Sequence, residues 1–532
     1  MFANEVIGFI NDSPTPFHAV SNIKKILDDN GFVEVYEGGR EEIRFGEKYY
    51  VTRNGSAIIA FVMPEGIPSS MSIVASHCDS PCFKLKPEPV VCVERNYLLL
   101  DTEKYGGLIN STWLDRPLSL AGRVFMDYGN KIVPKLVDFK DVRLVIPNLA
   151  IHMNPEINKG YQYNLQKELL PLLGMGNDRD SFDKLLKSAC GAGKILGMDM
   201  FLYNSEPGTV AGIDNELILS PRLDDLECVY ASVDALINSD NKDKLCMCCV
   251  FDNEEVGSKS LQGADSDFLL MTVRKIAAGL NMDEQTFSGM LSRSMVVSAD
   301  NAHALHPGYT EKADTNNRPV INEGIVIKKN SSLKYTTDGF SEAFFKKICK
   351  NAGIPVQMFA NRSDIAGGST LGNISISHMS VHTVDIGLPQ FAMHSAMETA
   401  GVKDVTYLRE ALEEFYNAKY VIDKLKNDGH QIYIITARDS EFHDNPYVYS
   451  KNWLDKNKIY YDKLIVNARE KSTACKRENI DLYIDDQLEN CLNILNAGIQ
   501  TIMITDKKYD YDNITMLKNW DDIYNFISEL EK

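Results

Sequence analysis

Two adjacent carboxylates, Glu254 and Glu255, stand in the run Phe251-Asp252-Asn253-Glu254-Glu255-Val256-Gly257-Ser258, directly after the apolar stretch Leu245-Cys246-Met247-Cys248-Cys249-Val250. With Phe251 that stretch is long enough for a buried parallel strand and too short for a typical helix. Paired acids at the end of a buried strand are costly unless a cation or base chemistry needs them there. A hydrolytic metal site needs both roles, one carboxylate to bind the ion and one to take a proton from water. Taken alone, the octapeptide reads equally well as an acidic surface turn.

The same arrangement recurs along the chain. Ile73-Val74-Ala75 predicts a short buried strand that runs into Ser76-His77-Cys78-Asp79. The carboxylate two residues beyond His77 matters, because a metal-bound imidazole usually needs an acceptor on its other nitrogen. Met295-Val296-Val297-Ser298-Ala299 ends at Asp300, with His303 and His306 close behind, and Val384-Asp385-Ile386-Gly387 is followed by His394. Ser220-Pro221-Arg222-Leu223-Asp224-Asp225 opens a helical pattern through Val229, Val233 and Leu236. An Asp in that place is by default a helix-start carboxylate. In an open α/β sheet the carboxyl ends of the strands converge on one crevice. One metal centre therefore accounts for His77, the Glu254–Glu255 pair, Asp300 and His394 better than four separate coincidences.

The elements that must position these residues belong to a chain of 532 residues, long enough for roughly three or four domains. Its 44% hydrophobic and 24% charged residues are those of an ordinary globular protein. A formal charge of -18 argues against nucleic acid or an anionic membrane as the main partner. The eleven Cys residues show no zinc-ribbon spacing, and Cys246, Cys248 and Cys249 fall in the apolar run, where packing is their expected role. The amino terminus carries Glu5 and Asp12 and no basic stretch ahead of an apolar one. No segment reaches the roughly 18 apolar residues of a membrane span. A reducing cytoplasm is the expected location. Pro14 and Pro16 punctuate a helix through Val20, Ile23 and Leu27 that ends at Gly31, and Asn54-Gly55 predicts a hairpin over 49–63. From about Phe83 to Ile213 the texture changes to short strands, glycines and turns, including Tyr105-Gly106-Gly107 and Ile146-Pro147-Asn148-Leu149-Ala150-Ile151-His152. This predicts an inserted β-rich domain.

With these residues lined up, positions 1–417 closely resemble the aspartyl aminopeptidase family of dinuclear zinc metallopeptidases. The resemblance rests on SHCDSP (76–81), SPRLDDL (220–226), FDNEEVGS (251–258), SADNAHALHP (298–307) and MHS (393–395), in this order. It implies an α/β/α zinc-peptidase sandwich built from 1–82 and 214–417, with 83–213 as an inserted dimerisation domain. It implies two Zn2+ per subunit, one held by Asp224, Glu255 and His394 and a second by His77, Asp224 and Asp300. Such mixed nitrogen and oxygen ligation suits zinc, with cobalt or manganese as substitutes in vitro. Glu254 would be the general base toward the water that attacks the scissile carbonyl, and Asp79 would orient His77. His152 matches the loop His that reaches a neighbouring subunit's active site, in a homo-oligomer built from dimers into a dodecameric shell open to peptides. Lys328 and Tyr335 match the pocket for an amino-terminal Asp or Glu of the substrate. A solvated strand-end lysine is the ordinary alternative for Lys328.

A different texture begins near Ala418. Ile432 to Arg438 predicts a buried strand carrying Thr436, Leu482 to Asp486 a second ending in Asp485 and Asp486, and Thr501 to Ile504 a third. This alternation resembles the haloacid-dehalogenase superfamily, its 5'-nucleotidase-like members in particular, as an incomplete Rossmann-like domain over 418–532. Thr436 and Lys471 would match its phosphate-binding residues, and Asp485 and Asp486 its magnesium-binding acids. The superfamily's nucleophilic Asp-x-Asp strand has no counterpart between His394 and Thr436, where a helix over Val405 to Tyr416 would run into one at Lys419 to Leu425. An inert tail is the expectation, against a bifunctional peptidase and nucleotidase. A non-catalytic shell subunit is disfavoured by the complete ligand set. The fusion reads either as a natural remnant or as an error of gene assembly.

Overall fold

The computed structural model describes 1–417 apart from residues 41, 192, 242–243, 366, 369, 371 and 373–377. Beyond 417 it describes 429–438, 445–456, 460–505, 509, 511, 514–517, 523, 526, 527 and 530. The chain divides into two compact units, Met1–Asn417 and Ala418–Lys532.

Why a sheet forms at the centre of the first unit follows from its unbroken apolar runs. Met71–His77 and Leu245–Phe251 are buried at every position, as strands covered on both faces must be. They belong to a nine-stranded sheet in the order Val33–Glu34, Lys48–Arg53, Ala57–Val62, Leu245–Phe251, Met71–His77, Met295–Ala299, His382–Gly387, Ile325–Lys328 and Val356–Phe359. The four strands from Leu245–Phe251 to His382–Gly387 are mutually parallel, so their carboxyl ends share one edge. Leu245–Phe251 is parallel to Met71–His77 on one side and antiparallel to Ala57–Val62 on the other. The expected hairpin is present. Lys48–Arg53 pairs with Ala57–Val62, and Asn54 and Gly55 both take the positive φ that its turn requires. The first helical pattern is the helix Pro16–Asp29, capped at Asn30.

Helices complete the layers. Phe268, Val273 and Ile276, from the helix Phe268–Gly279, join Ile59, Phe61, Ile73 and Met247 of the sheet in one core. The helix Val402–Asn417 ends with the Tyr416 hydroxyl donating to the Met247 carbonyl at 3.0 Å.

Two smaller sheets shape the site. A six-stranded antiparallel sheet, drawn wholly from residues 82–204, has its own core around Phe83, Trp113, Leu120 and Leu202. A five-stranded sheet runs Thr209–Ala211, Leu217–Ser220, Glu398–Gly401, Pro389–Phe391 and Ala302–His303. It brings the approaches to Asp224, Asp300 and His394 together. Among the described residues no helix is long and apolar enough to cross a membrane.

The second unit has parallel strands in two sheets among its described residues. Tyr433–Ile435 pairs with Lys463–Ile465, and Leu482–Asp485 with Gln500–Ile504 and then Thr515–Leu517. The strand expected to be buried over 432–438 is shorter, Tyr433–Ile435, and only half-buried. The helix expected over Lys419 to Leu425 lies outside the described residues.

Candidate metal centre

Four of the candidate ligands close or follow strands, and the fifth, Asp224, enters from a helix. His77 closes Met71–His77, and Glu254 and Glu255 open a single 3-10 turn after Leu245–Phe251. Asp300 follows Met295–Ala299, and His394 lies beyond the short strand Pro389–Phe391. Asp224 enters from the start of the helix Leu223–Ile237, but its backbone there is non-helical (φ -77°, ψ 105°) and no side chain caps that helix. Asp224 thus stands in the first turn of the helix, as its sequence position implied, without the helical backbone of a first-turn residue.

The side chains converge. His77, Asp224 and Asp300 each offer a ligand atom with all three inside 4.8 Å of one another, as do Asp224, Glu255 and His394, and also His77, Glu254 and Glu255. His77 Nε2 lies 3.4 Å from Asp224 Oδ1 and 3.9 Å from Asp300 Oδ1. His394 Nε2 lies 3.5 Å from Asp224 Oδ2 and 3.4 Å from Glu255 Oε1. Each oxygen of Asp224 thus faces a different imidazole.

Acids and imidazoles crowd this pocket and shift one another's protonation. Asp224 Oδ1 is buried with no hydrogen-bond partner, an expensive position for a carboxylate oxygen. Burial drives the Glu255 carboxyl well above the usual range, and the Asp224 charge adds to it. Burial and the neighbouring Asp300 and Asp79 push Glu254 up to about 8, against the pull of His77. Burial opposes a charge on His394, yet Asp224 and Glu255 outweigh it and raise the imidazole to about 10. Imidazole nitrogens and carboxylate oxygens around an unpaired oxygen are the donor set zinc takes. The residues fit the ion.

Asp79 works more broadly than expected. His77 Nδ1 lies 3.0 Å from the Asp79 backbone carbonyl and 3.3 Å from its carboxylate. The carboxylate also accepts the Glu254 and Glu255 backbone amides at 3.0 and 3.1 Å, and the Tyr105 hydroxyl at 2.7 Å. One buried acid therefore contacts an imidazole and the backbone amides of both paired glutamates.

Three partners of the centre escaped sequence reasoning. Tyr105 comes from the six-stranded sheet, and just beyond it the Gly107 carbonyl stands 2.9 Å from His394 Nδ1. Between them Gly106 has φ 77°, and a Cβ there would meet the Glu255 Cβ at 3.1 Å. The third is Glu398, buried, which accepts the His394 and Asp224 amides. Burial and the Asp224 charge push its carboxyl up to about 8, with those amides pulling the other way. The only signals were a Tyr-Gly-Gly turn and a Glu shortly after His394.

Lys328 is 2% exposed, so the solvated strand-end reading fails. Its ammonium donates to the Asn301 carbonyl at 3.0 Å, lies 3.3 Å from Asp300 Oδ2 and sits 5.4 Å over the Tyr335 ring. Burial opposes that charge, but Asp300 and its other acidic neighbours raise the amine above its ordinary value. His152 is exposed on a turn. In the second unit Lys471 bonds Asp485 at 2.7 Å, Thr436 Oγ1 accepts the Arg438 amide at 3.3 Å, and Asp486 is exposed. Burial opposes ionisation of Asp485, but Lys471 and Tyr483 hold it down at about 2.

Comparison with known proteins decides the family. Residues 9–416 match the model for the aminopeptidase I zinc metalloprotease family, M18. The chain belongs to the M18 aminopeptidases. It is 46% identical over 426 residues to a probable M18 family aminopeptidase 2 of Clostridium novyi (strain NT), covering 78% of this chain and 98% of the relative. A protein of the same description from Pseudomonas savastanoi pv. phaseolicola (strain 1448A / Race 6) is 40% identical, with 78% and 97% covered. Among solved structures, the Ape4 and Nbr1 complex matches with a TM-score of 0.75 at 34% identity, covering 78% of this chain and 85% of that one. The S. cerevesiae mApe1 dodecamer matches with 0.69 at 27% identity, covering 78% and 96%. This M18 enzyme is thus a zinc-dependent aminopeptidase, a hydrolase acting on the amino-terminal residues of peptides.

Proposed function

We propose that two zinc ions share Asp224, one completed by Glu255 and His394 and the other by His77 and Asp300. The observation that carries this reading is the pair of ligand triads meeting at Asp224, each with its donor atoms inside 4.8 Å. When bound, zinc supplies Lewis acidity toward a peptide carbonyl and acidifies water. Glu254 accepts the proton of the attacking water on its carboxylate and returns it to the departing amine. Asp79 keeps Glu254 and Glu255 in place through their backbone amides. Zinc content per chain, measured beside hydrolysis of Asp- and Glu-anilides with and without chelator, tests the reading. A metal-free chain of full activity would end it.

The amino-terminal residue preferred is acidic, with Lys328 as its counter-charge and Tyr335 as a wall of the same pocket. The support is a buried ammonium beside Asp300, lying over the Tyr335 ring. A hydrogen bond to a charged group contributes roughly 1.5–3 kcal/mol. Lys328→Met is therefore expected to lower kcat/KM for Asp-substrates roughly 10- to 100-fold more than for Ala-substrates. Equal losses on both would remove Lys328 from the pocket.

Residues 1–82 and 214–417 form the catalytic domain and 83–213 the dimerisation domain of a homo-oligomer. The exposed His152 reaches a neighbouring subunit's site in that assembly, which admits peptides. A reducing cytoplasm suits eleven cysteines that are all free thiols.

Residues 418–532 are an incomplete, Rossmann-like relative of the haloacid-dehalogenase fold. Division of the described strands into two parallel sheets is what a missing central strand leaves. Asp485 is already engaged by Lys471 and Asn490. Nitrophenyl phosphate is therefore expected to release no phosphate above the buffer blank. Release that vanishes on Asp485→Ala would make the tail an enzyme.

A further inference from the structure

Glu398 opens the strand Glu398–Gly401, which pairs antiparallel with Leu217–Ser220 and places Glu398 opposite Ser220. Ser220 leads directly through Pro221, Arg222 and Leu223 to Asp224, while the chain arrives at Glu398 from His394. The side chain is buried, at 2% exposure. Its two oxygens go to different places: Oε1 accepts the His394 amide at 2.7 Å, and Oε2 accepts the Asp224 amide at 3.1 Å.

Both amides belong to residues whose backbone has left regular structure. His394 has φ 69°, the left-handed region that costs a non-glycine residue energy. Asp224 departs from helical angles at the start of its own helix. The His394 conformation persists only where surrounding contacts over-determine it, whereas the Asp224 angles are those of ordinary extended chain. The imidazole is further held at Nδ1 by the Gly107 carbonyl at 2.9 Å, which leaves Nε2 toward Asp224 and Glu255.

We propose that Glu398 is a positioning residue for the zinc centre: one carboxylate that clamps the backbones presenting Asp224 and His394 and so sets their separation. This rests on the ligand assignment given above. A purely architectural acid would stabilise the fold without favouring either ion. A clamp acts first on the ion bound by Asp224, Glu255 and His394, since two of its three ligands hang from Glu398.

Glutamine at this position keeps one acceptor oxygen but turns an amide donor toward the second backbone N–H. Aspartate keeps two acceptor oxygens on a shorter stem. Zinc retained per chain, after dialysis against graded chelator, is measured for wild type, Glu398→Gln, Glu398→Asp and Asp224→Ala. Losing a partner of a metal ligand typically costs roughly 10- to 100-fold in affinity. Both Glu398 variants are expected to lose one ion with that weakening while holding the other more tightly. Free zinc should then restore their turnover, which it would not do for a defective fold. Variants that keep both ions at wild-type affinity overturn the proposal. If both variants fail to fold, amide hydrogen exchange in metal-free wild type decides: slow exchange at Asp224 and His394 supports the clamp, and the rate of unprotected amides overturns it. Asp224→Ala separates the two levels. If it retains both ions, the ligand assignment itself falls; if it loses zinc while the Glu398 variants do not, only the clamp falls.

Discussion

Asp224→Ala is expected to abolish zinc binding at both positions and, with it, measurable aminopeptidase turnover. Asp224 is 3% exposed, and its two oxygens face His77 and His394 separately. Without it each ion keeps only two of the three proposed side-chain ligands, in a pocket that stays crowded with the acids Glu255 and Asp300. The sign of the stability change follows from its neighbours. In the metal-free wild type burial opposes the Asp224 charge, yet His394 and His77 hold its carboxyl below the ordinary range. Removing that charge strips both imidazoles of a buried partner and outweighs the repulsion relieved at Glu255. Metal-free Asp224→Ala should therefore melt lower than metal-free wild type. A ligand that binds only the folded state stabilises it by mass action. Added zinc should raise the melting temperature of wild type and leave that of the variant unmoved. Thermal unfolding with and without zinc, together with zinc content, checks both halves. A variant that still carries zinc and still responds to it would show that the triads do not share this carboxylate.

Glu254→Gln separates proton transfer from metal binding. The substitution keeps shape and removes basicity, so zinc content should stay at the wild-type level while kcat falls by roughly 10²- to 10⁴-fold, the usual share of a general base. The geometry makes this a demanding test, because Glu254 also shares a triad of possible ligand atoms with His77 and Glu255. Loss of zinc in step with activity would reassign Glu254 as a ligand. Retained zinc with a normal kcat would leave the proton without an acceptor and sink the proposed mechanism. The Asp79 carboxylate accepts the backbone amide of Glu254, not its side chain, so the variant should leave the local turn intact.

The strands that carry the centre were legible because burial on both faces demands unbroken apolar runs. Leu245–Phe251 and Met71–His77 show that pattern directly, and their parallel pairing follows from it with one antiparallel neighbour added. The Asn54-Gly55 turn was equally plain, since few residue pairs accept two positive φ angles in succession. His77, Glu254, Glu255, Asp300 and His394 could be singled out only together, because strand carboxyl ends converge on one crevice and one site explains them better than four coincidences. Asp224 could not be read this way. A helix-start aspartate and a metal ligand look alike in sequence, and only the fold brings His77 and His394 to the two oxygens of Asp224.

Local pattern, then, determined the sheet, its polar strand ends and the chemistry those ends allow. Tertiary structure alone decided how they are held. Glu398 and Gly107 act through backbone amides and a backbone carbonyl, and Tyr105 through a hydroxyl delivered from a different sheet. Every residue has an amide and a carbonyl, so nothing in side-chain identity marks the ones that matter. Lys328 is the same case in reverse: its type suggested solvent, and only packing beside Asp300 and Tyr335 made it a buried charge. Periodicity records which faces are buried, whereas the partners met there are set by segments far apart in the chain.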